Sequence, residues 1–165
     1  MRGVLPLLLL VALISGLLAQ TVSNLPAPDE DPFVGTWQTN ASKSRPKLDK
    51  ADASYVRTIV RDGDEVVFSS RMDRRSVGGR LSENEYRIRC DGAPHQVQCG
   101  KGSCTTACTY TAENVVEGET VSLDGGERSY WTREVSTDRQ EMRILGYKDK
   151  AKTKLKTTRV LDRVK

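Results

Sequence analysis

The sequence predicts an all-β domain: an antiparallel meander of about eight to ten strands that closes into an up-and-down barrel. Three observations point that way. Several runs alternate apolar and polar residues with period two, the pattern of a sheet with one face on a core and one in water. Turn signals recur at short intervals from Phe33 to the C-terminus. No window carries a convincing 3.6-residue period. A meander of this size closes, or folds as a sandwich, because an open sheet leaves its edges free to pair. The chain has 165 residues, 37% hydrophobic and 29% charged, which fits one domain and excludes both a multi-domain enzyme and global disorder.

Residues 1–19 read as a cleaved secretory signal peptide. Arg2 gives a short positive start, Val4 to Leu18 is an almost unbroken apolar run, and Ala19 precedes polar Gln20 and Thr21. The run, about 15 residues, falls short of the roughly 20 that cross a bilayer. No later apolar stretch approaches that length, so the mature chain is expected to lack a membrane span and to be periplasmic or secreted. Residues 20–32, with Pro26, Pro28, Pro32 and Asp29-Glu30-Asp31, form a flexible leader, and residues 33–165 form the barrel domain.

Strand-like runs then follow in order: Val34 to Thr39, Ser54 to Arg61, Glu65 to Met72, Asn84 to Cys90 and His95 to Cys99. The second half continues with Cys104 to Thr111, Glu119 to Leu123, Glu127 to Ser136, Gln140 to Tyr147 and Thr153 to Val164. All are rich in Val, Ile, Thr, Tyr and Trp. Asp62-Gly63, Gly78-Gly79, Asp91-Gly92, Gly100-Lys101-Gly102 and Asp124-Gly125-Gly126 punctuate them, and Asn40 to Lys50 is left for a short helix or loop. The alternation assigns faces. Tyr86, Ile88 and Cys90 oppose Glu85, Arg87 and Arg89, and Met142 and Ile144 oppose Glu141 and Arg143. Val56, Thr58 and Val60 oppose Arg57 and Arg61, a pattern that Tyr55 and Ile59 blur.

Cys90, Cys99, Cys104 and Cys108 fall in one short segment with no C-x2-C pair. In an exported chain such a cluster reads as disulfides rather than zinc ligands. A hairpin turning at Gly100-Lys101-Gly102-Ser103 faces Cys99 to Cys104 and leaves Cys90 for Cys108.

Catalytic constellations are missing from the sequence. His95 is the single histidine and sits in a turn, where solvation is its ordinary state. Gly100-Lys101-Gly102 lacks the spacing and the hydroxyl of a phosphate loop. The pairs Glu83/Glu85 and Glu117/Glu119 flank polar turns, and Asp138 lies in another. The expectation is a protein that is not an enzyme and needs no metal or cofactor. Positive charge gathers at the C-terminal end, where Lys148, Lys150, Lys152, Lys154 and Lys156 recur at every second position. If extended, they form a basic stripe able to meet a polyanion, or they guard an edge strand.

The segment Asp31-Pro32-Phe33-Val34-Gly35-Thr36-Trp37, with Asn40 and Lys43-Ser44 behind it, resembles the opening of small exported bacterial lipocalin-like proteins of the calycin type. Weaker echoes are the Asp62-Gly63-Asp64 turn, Asp91-Gly92 with Pro94, and Thr132-Arg133 before Val135-Ser136. The resemblance implies a barrel whose Trp37 packs across one end beneath an arginine, with Arg133 and Arg159 both open for that role. It also implies reversible, non-covalent binding of a small apolar or amphipathic molecule; the chain itself is expected to be a monomer. Trp37, Phe68, Tyr86, Ile88, Met142 and Ile144 are the candidate lining. The alternative is a closed scaffold that contacts a polyanion through the lysine-rich hairpin.

Overall fold

The computed structural model describes residues 30–99 and 102–165. The expected signal peptide and most of the leader lie outside the described residues. Alternating, turn-punctuated sequence becomes ten strands: β1 (Gly35–Thr39), β2 (Val56–Asp62), β3 (Glu65–Asp73), β4 (Leu81–Ile88), β5 (His95–Cys99), β6 (Gly102–Ala112), β7 (Val115–Ser122), β8 (Arg128–Val135), β9 (Glu141–Tyr147) and β10 (Leu155–Arg163). One short helix, α1 (Lys50–Ala53), interrupts the β1–β2 connection and is capped by the Asp49 carboxylate.

The strands form one antiparallel sheet in the order β4-β3-β2-β1-β10-β9-β8-β7-β6-β5. Apart from β1 with β10, every ladder joins sequence neighbours, the pattern of an up-and-down meander. The two edges, β4 and β5, are themselves consecutive, so the sheet curls into a nearly closed barrel with one seam. The seam is fastened at one end. The Cys90–Cys108 disulfide ties the exit of β4 to β6, an Asp91–Thr109 bridge follows, and Gly92 N–H donates to the Cys108 carbonyl at 2.8 Å. At the other end the Cys99–Cys104 disulfide clasps the β5–β6 hairpin. Both pairings are those expected from the hairpin.

One end of the barrel is a packed floor. Trp37, Ile59, Met142, Leu161 and Val135 are almost wholly buried there, joined by Phe33, Val66 and Val116. Trp37 Nε1–H donates to the Phe33 carbonyl at 2.8 Å. The arginine over its ring is Arg163, with its guanidinium carbon 4.2 Å from the centroid, and not Arg133 or Arg159. Arg163 also donates to the carbonyls of Val34, Pro32 and Arg139. Gly35 is required here, since its φ is +137° and a Cβ would collide with Arg163 Nη1. Beside this cap, buried Asp31 accepts from Phe33 N–H and Tyr110 O–H, both at 2.9 Å, with Arg61 at 3.7 Å. Burial and the Asp31 carboxylate push the Tyr110 phenol well above its ordinary range.

The face assignment for β2 is reversed from the expectation. Tyr55, Arg57, Ile59 and Arg61 point inward, while Val60 is 48% exposed. Tyr55 and Ile59 together bury more apolar surface than the smaller Val-Thr-Val face, and the arginines follow them in by the pleat.

Candidate ligand cavity

Above the floor the barrel is not filled. The mouth end holds a cavity of 430 Å³, within the roughly 300–1,000 Å³ of small-molecule sites. Residues after β1 run alongside β10, with Asn40 N–H bonded to the Val160 carbonyl and Arg45 exchanging backbone bonds with Thr158. That pairing brings Arg45, Pro46, Leu48 and α1 over the opening. The walls are Tyr55, Arg57, Trp131, Arg133, Ile144 and Arg159, among others. A second chamber of 180 Å³ lies against the β4–β5 seam, lined by Tyr86, Ile88, Val97, Cys99, Trp131 and Arg133. Trp131, Arg133 and Thr120 line both spaces, so the two adjoin.

Strand register explains why charge and aromatics meet here. Arg133, Ile144 and Arg159 sit side by side on β8, β9 and β10. Ile59, Phe68 and Tyr86 make a matching row on β2, β3 and β4. The Trp131 ring lies over Gly118 on β7, where a Cβ would strike both the ring and the Ala107 carbonyl. The indole N–H donates to Thr120 Oγ1 at 3.1 Å, which fixes the ring as a wall.

The guanidinium groups rest on aromatic faces. Arg133 lies 4.4 Å from the Trp131 ring and 4.6 Å from Phe68, which in turn stacks on Tyr86 at 4.9 Å. Arg57 lies 5.2 Å from the Tyr55 ring and 5.4 Å from Phe68. Such contacts contribute about 0.5–2 kcal/mol each, much less than the cost of burying an uncompensated charge. Among the described residues no carboxylate lies within ion-pair distance of Arg57 or Arg133, and the Nε of each has no hydrogen-bond partner. Arg133 Nη2 reaches only the Tyr86 hydroxyl, at 3.3 Å. Burial alone raises the Tyr86 phenol, but the two adjacent guanidinium groups outweigh it and hold the phenol below its usual value. Arg159 differs, because Asp52 of α1 stands 3.5 Å away.

The six residues proposed as lining separate into two groups. Tyr86 and Ile88 line the seam chamber and Ile144 lines the mouth cavity. Trp37 and Met142, wholly buried, belong to the floor and border neither space, because the floor closes beneath the cavity. Phe68 is buried too, and its part is to carry the two guanidinium groups. Arg57, Trp131 and Tyr55 are residues that sequence reasoning did not place in the interior, while Arg133 and Arg159, expected over Trp37, line the mouth instead.

The lysine stripe does not form, because the chain turns where an extended strand was expected. Asp149 organises residues 148–154 by accepting from Thr153 Oγ1 and Lys154 N–H, each at 2.8 Å. Lys152, with φ of +56°, folds back to pair with Glu117. Lys148, Lys150, Lys154 and Lys156 stay exposed around this hairpin without a common face. The acidic candidates lie outside the barrel. Glu83 and Glu85 share a shallow groove, facing Arg71 at 3.9 Å and Ser69 at 3.0 Å. His95 contacts Asp91 at 2.9 Å, and Asp138 closes a turn with Ser136.

The fold defined by these features is a calycin-type barrel. No protein-family model matches the chain, and no curated protein matches its sequence. Solved structures do resemble it. A Schistosoma mansoni fatty acid binding protein in complex with arachidonic acid shares 12% identity with a TM-score of 0.58, covering 82% of this chain and 98% of its own. Secretory abundant heat soluble protein 4 from Ramazzottius varieornatus shares 12% identity at a TM-score of 0.57, covering 82% and 96%. The fatty-acid-binding protein of Manduca sexta shares 11% at 0.54, covering 80% and 99%. At these identities the likeness extends to the fold.

Proposed function

We propose that the chain is a non-catalytic carrier that reversibly binds a small amphipathic molecule with its anionic head inside the barrel. One observation carries this reading: Arg57 and Arg133 face an internal cavity, and among the described residues no carboxylate lies within ion-pair distance of either. A ligand head group would supply the missing charge and hydrogen bonds, and Trp131, Tyr86, Ile144 and Val97 offer surface to an apolar tail. Fatty-acid-binding proteins among the structural neighbours support a ligand-binding barrel. The two disulfides support an oxidising, exported setting, and a monomer suffices because the cavity is built within one chain.

The test is displacement of a fluorescent amphipathic anion by n-alkyl carboxylates of increasing length. Each methylene is worth about 0.8 kcal/mol, so affinity should rise roughly fourfold per added carbon until the cavity is full. Matched n-alkyl ammonium ions should not compete. Equal competition by the cations, or no displacement at any length, would remove the reading.

A further inference from the structure

Resting on that reading, we infer that the preferred head group carries two negative charges, as in a phosphate monoester on an apolar tail, rather than one. The groups facing the space come from every wall: Asp52 from α1, Tyr55 and Arg57 from the β2 side, Tyr86 from β4, Arg133 from β8 and Arg159 from β10. Arg45 also reaches the rim, but it is exposed and turned onto the carbonyls of Ser42 and Ser44. Among the described residues Asp52 is the single carboxylate in the mouth lining, and it is already engaged by Arg159. Two guanidinium groups therefore remain uncompensated, Arg57 and Arg133, each with an Nε donor left over. A single carboxylate or sulfate neutralises one and leaves the other buried without a counter-charge, which is costly in a low-dielectric interior. A phosphate monoester neutralises both, and its three terminal oxygens match the fork geometry of two guanidinium groups.

Decyl phosphate and decyl sulfate separate charge from size. Their tails are identical and their heads nearly so, while above the second phosphate pKa of about 6 only the phosphate is doubly charged. Titration calorimetry of the intact, oxidised protein at pH 8 should give decyl phosphate at least tenfold tighter binding than decyl sulfate or decanoate. Inorganic phosphate should compete far more weakly than decyl phosphate, which distinguishes a lipid head from a free anion site. R57Q and R133Q should each bring the phosphate-to-sulfate ratio close to one. D52N lies at the partly exposed rim, spares the floor and frees Arg159, so it should raise the ratio severalfold.

Equal or tighter binding of the sulfate would overturn the inference. Inorganic phosphate binding as tightly as the decyl ester would overturn it too. If none of the decyl anions bound, the carrier reading itself would fall.

Discussion

The floor and the mouth of this barrel use the same pairing, arginine on an aromatic ring, to opposite ends. At the floor, Arg163 covers Trp37 and gives its donors to three backbone carbonyls, while Arg61 stands beside the Asp31 carboxylate. Even there Arg61 Nε has no hydrogen-bond partner, but the charge has its acid and no ligand is needed. At the mouth, Arg57 and Arg133 lie on Tyr55, Phe68 and Trp131 with no carboxylate among the described residues beside them, and open space in front. Aromatic support positions a guanidinium in both places. Whether its charge is already answered decides whether the site closes the fold or waits for a ligand.

Four substitutions or pairs sharpen this contrast. Trp37→Ala should have the largest effect, about 3–5 kcal/mol lost in urea unfolding, because the ring fills the floor completely. Removing the Cys90–Cys108 disulfide, whose cysteines are 18 residues apart, should cost about 3 kcal/mol. Removing Cys99–Cys104, with a separation of 5, should cost about 2 kcal/mol. Comparable or reversed costs would show that the seam fastening near the floor is not the one that matters.

Arg163→Met and Arg133→Met should then move stability in opposite directions. The first removes satisfied hydrogen bonds and a ring contact, for a loss of about 1–3 kcal/mol. The second replaces an uncompensated buried charge with an apolar chain and should be neutral or stabilising by about 1 kcal/mol. It should also weaken binding of an amphipathic anion, leaving Arg57 to hold the head group alone. Thermal unfolding of both variants, with and without ligand, checks the pair. A destabilised R133M that bound as tightly as the parent chain would erase the distinction between the two regions.

The smallest expected effects are in tyrosine ionisation, read by ultraviolet absorbance. Tyr86 should lose its proton below the usual value of 10.0 because two guanidinium groups outweigh its burial. Tyr110 should keep its proton above that value, because burial and Asp31 both oppose the phenolate. Tyr86→Phe should remove an early step of the titration and Tyr110→Phe a late one. The sign for stability follows. As pH rises past about 10, the unfolded chain releases the Tyr110 proton and the folded chain does not, so the floor weakens only in alkali.

Much of the barrel was legible because period two is a local signal. Tyr86-x-Ile88-x-Cys90 and Met142-x-Ile144 show their inward faces without reference to any other strand. The clustered cysteines were legible for the same reason. The face of β2 was not, since Val56-x-Thr58-x-Val60 and Tyr55-x-Arg57-x-Ile59 both alternate. Choosing between them required knowing that Phe68, Tyr86 and Trp131, from three other strands, converge to support inward arginines. Tyr55 and Ile59 on the arginine side were the available clue. The lysine stripe failed in a different way. Its period was real in sequence, but Asp149 gathers Thr153 and Lys154 into a turn, and a turn has no two-fold face.

The most direct measurement of a ligand held by unpaired interior arginines is the ionisation of a bound head group. Decanoate labelled with ¹³C at the carboxyl reports it by NMR as pH is lowered in the presence of the protein. Beside Arg57 and Arg133 the carboxylate should stay ionised well below its value in free solution, with a resonance that does not move down to the acid limit of folding. A bound carboxyl that titrates at or above that value would place the head in water or in apolar surroundings, and would contradict the role given to the two arginines.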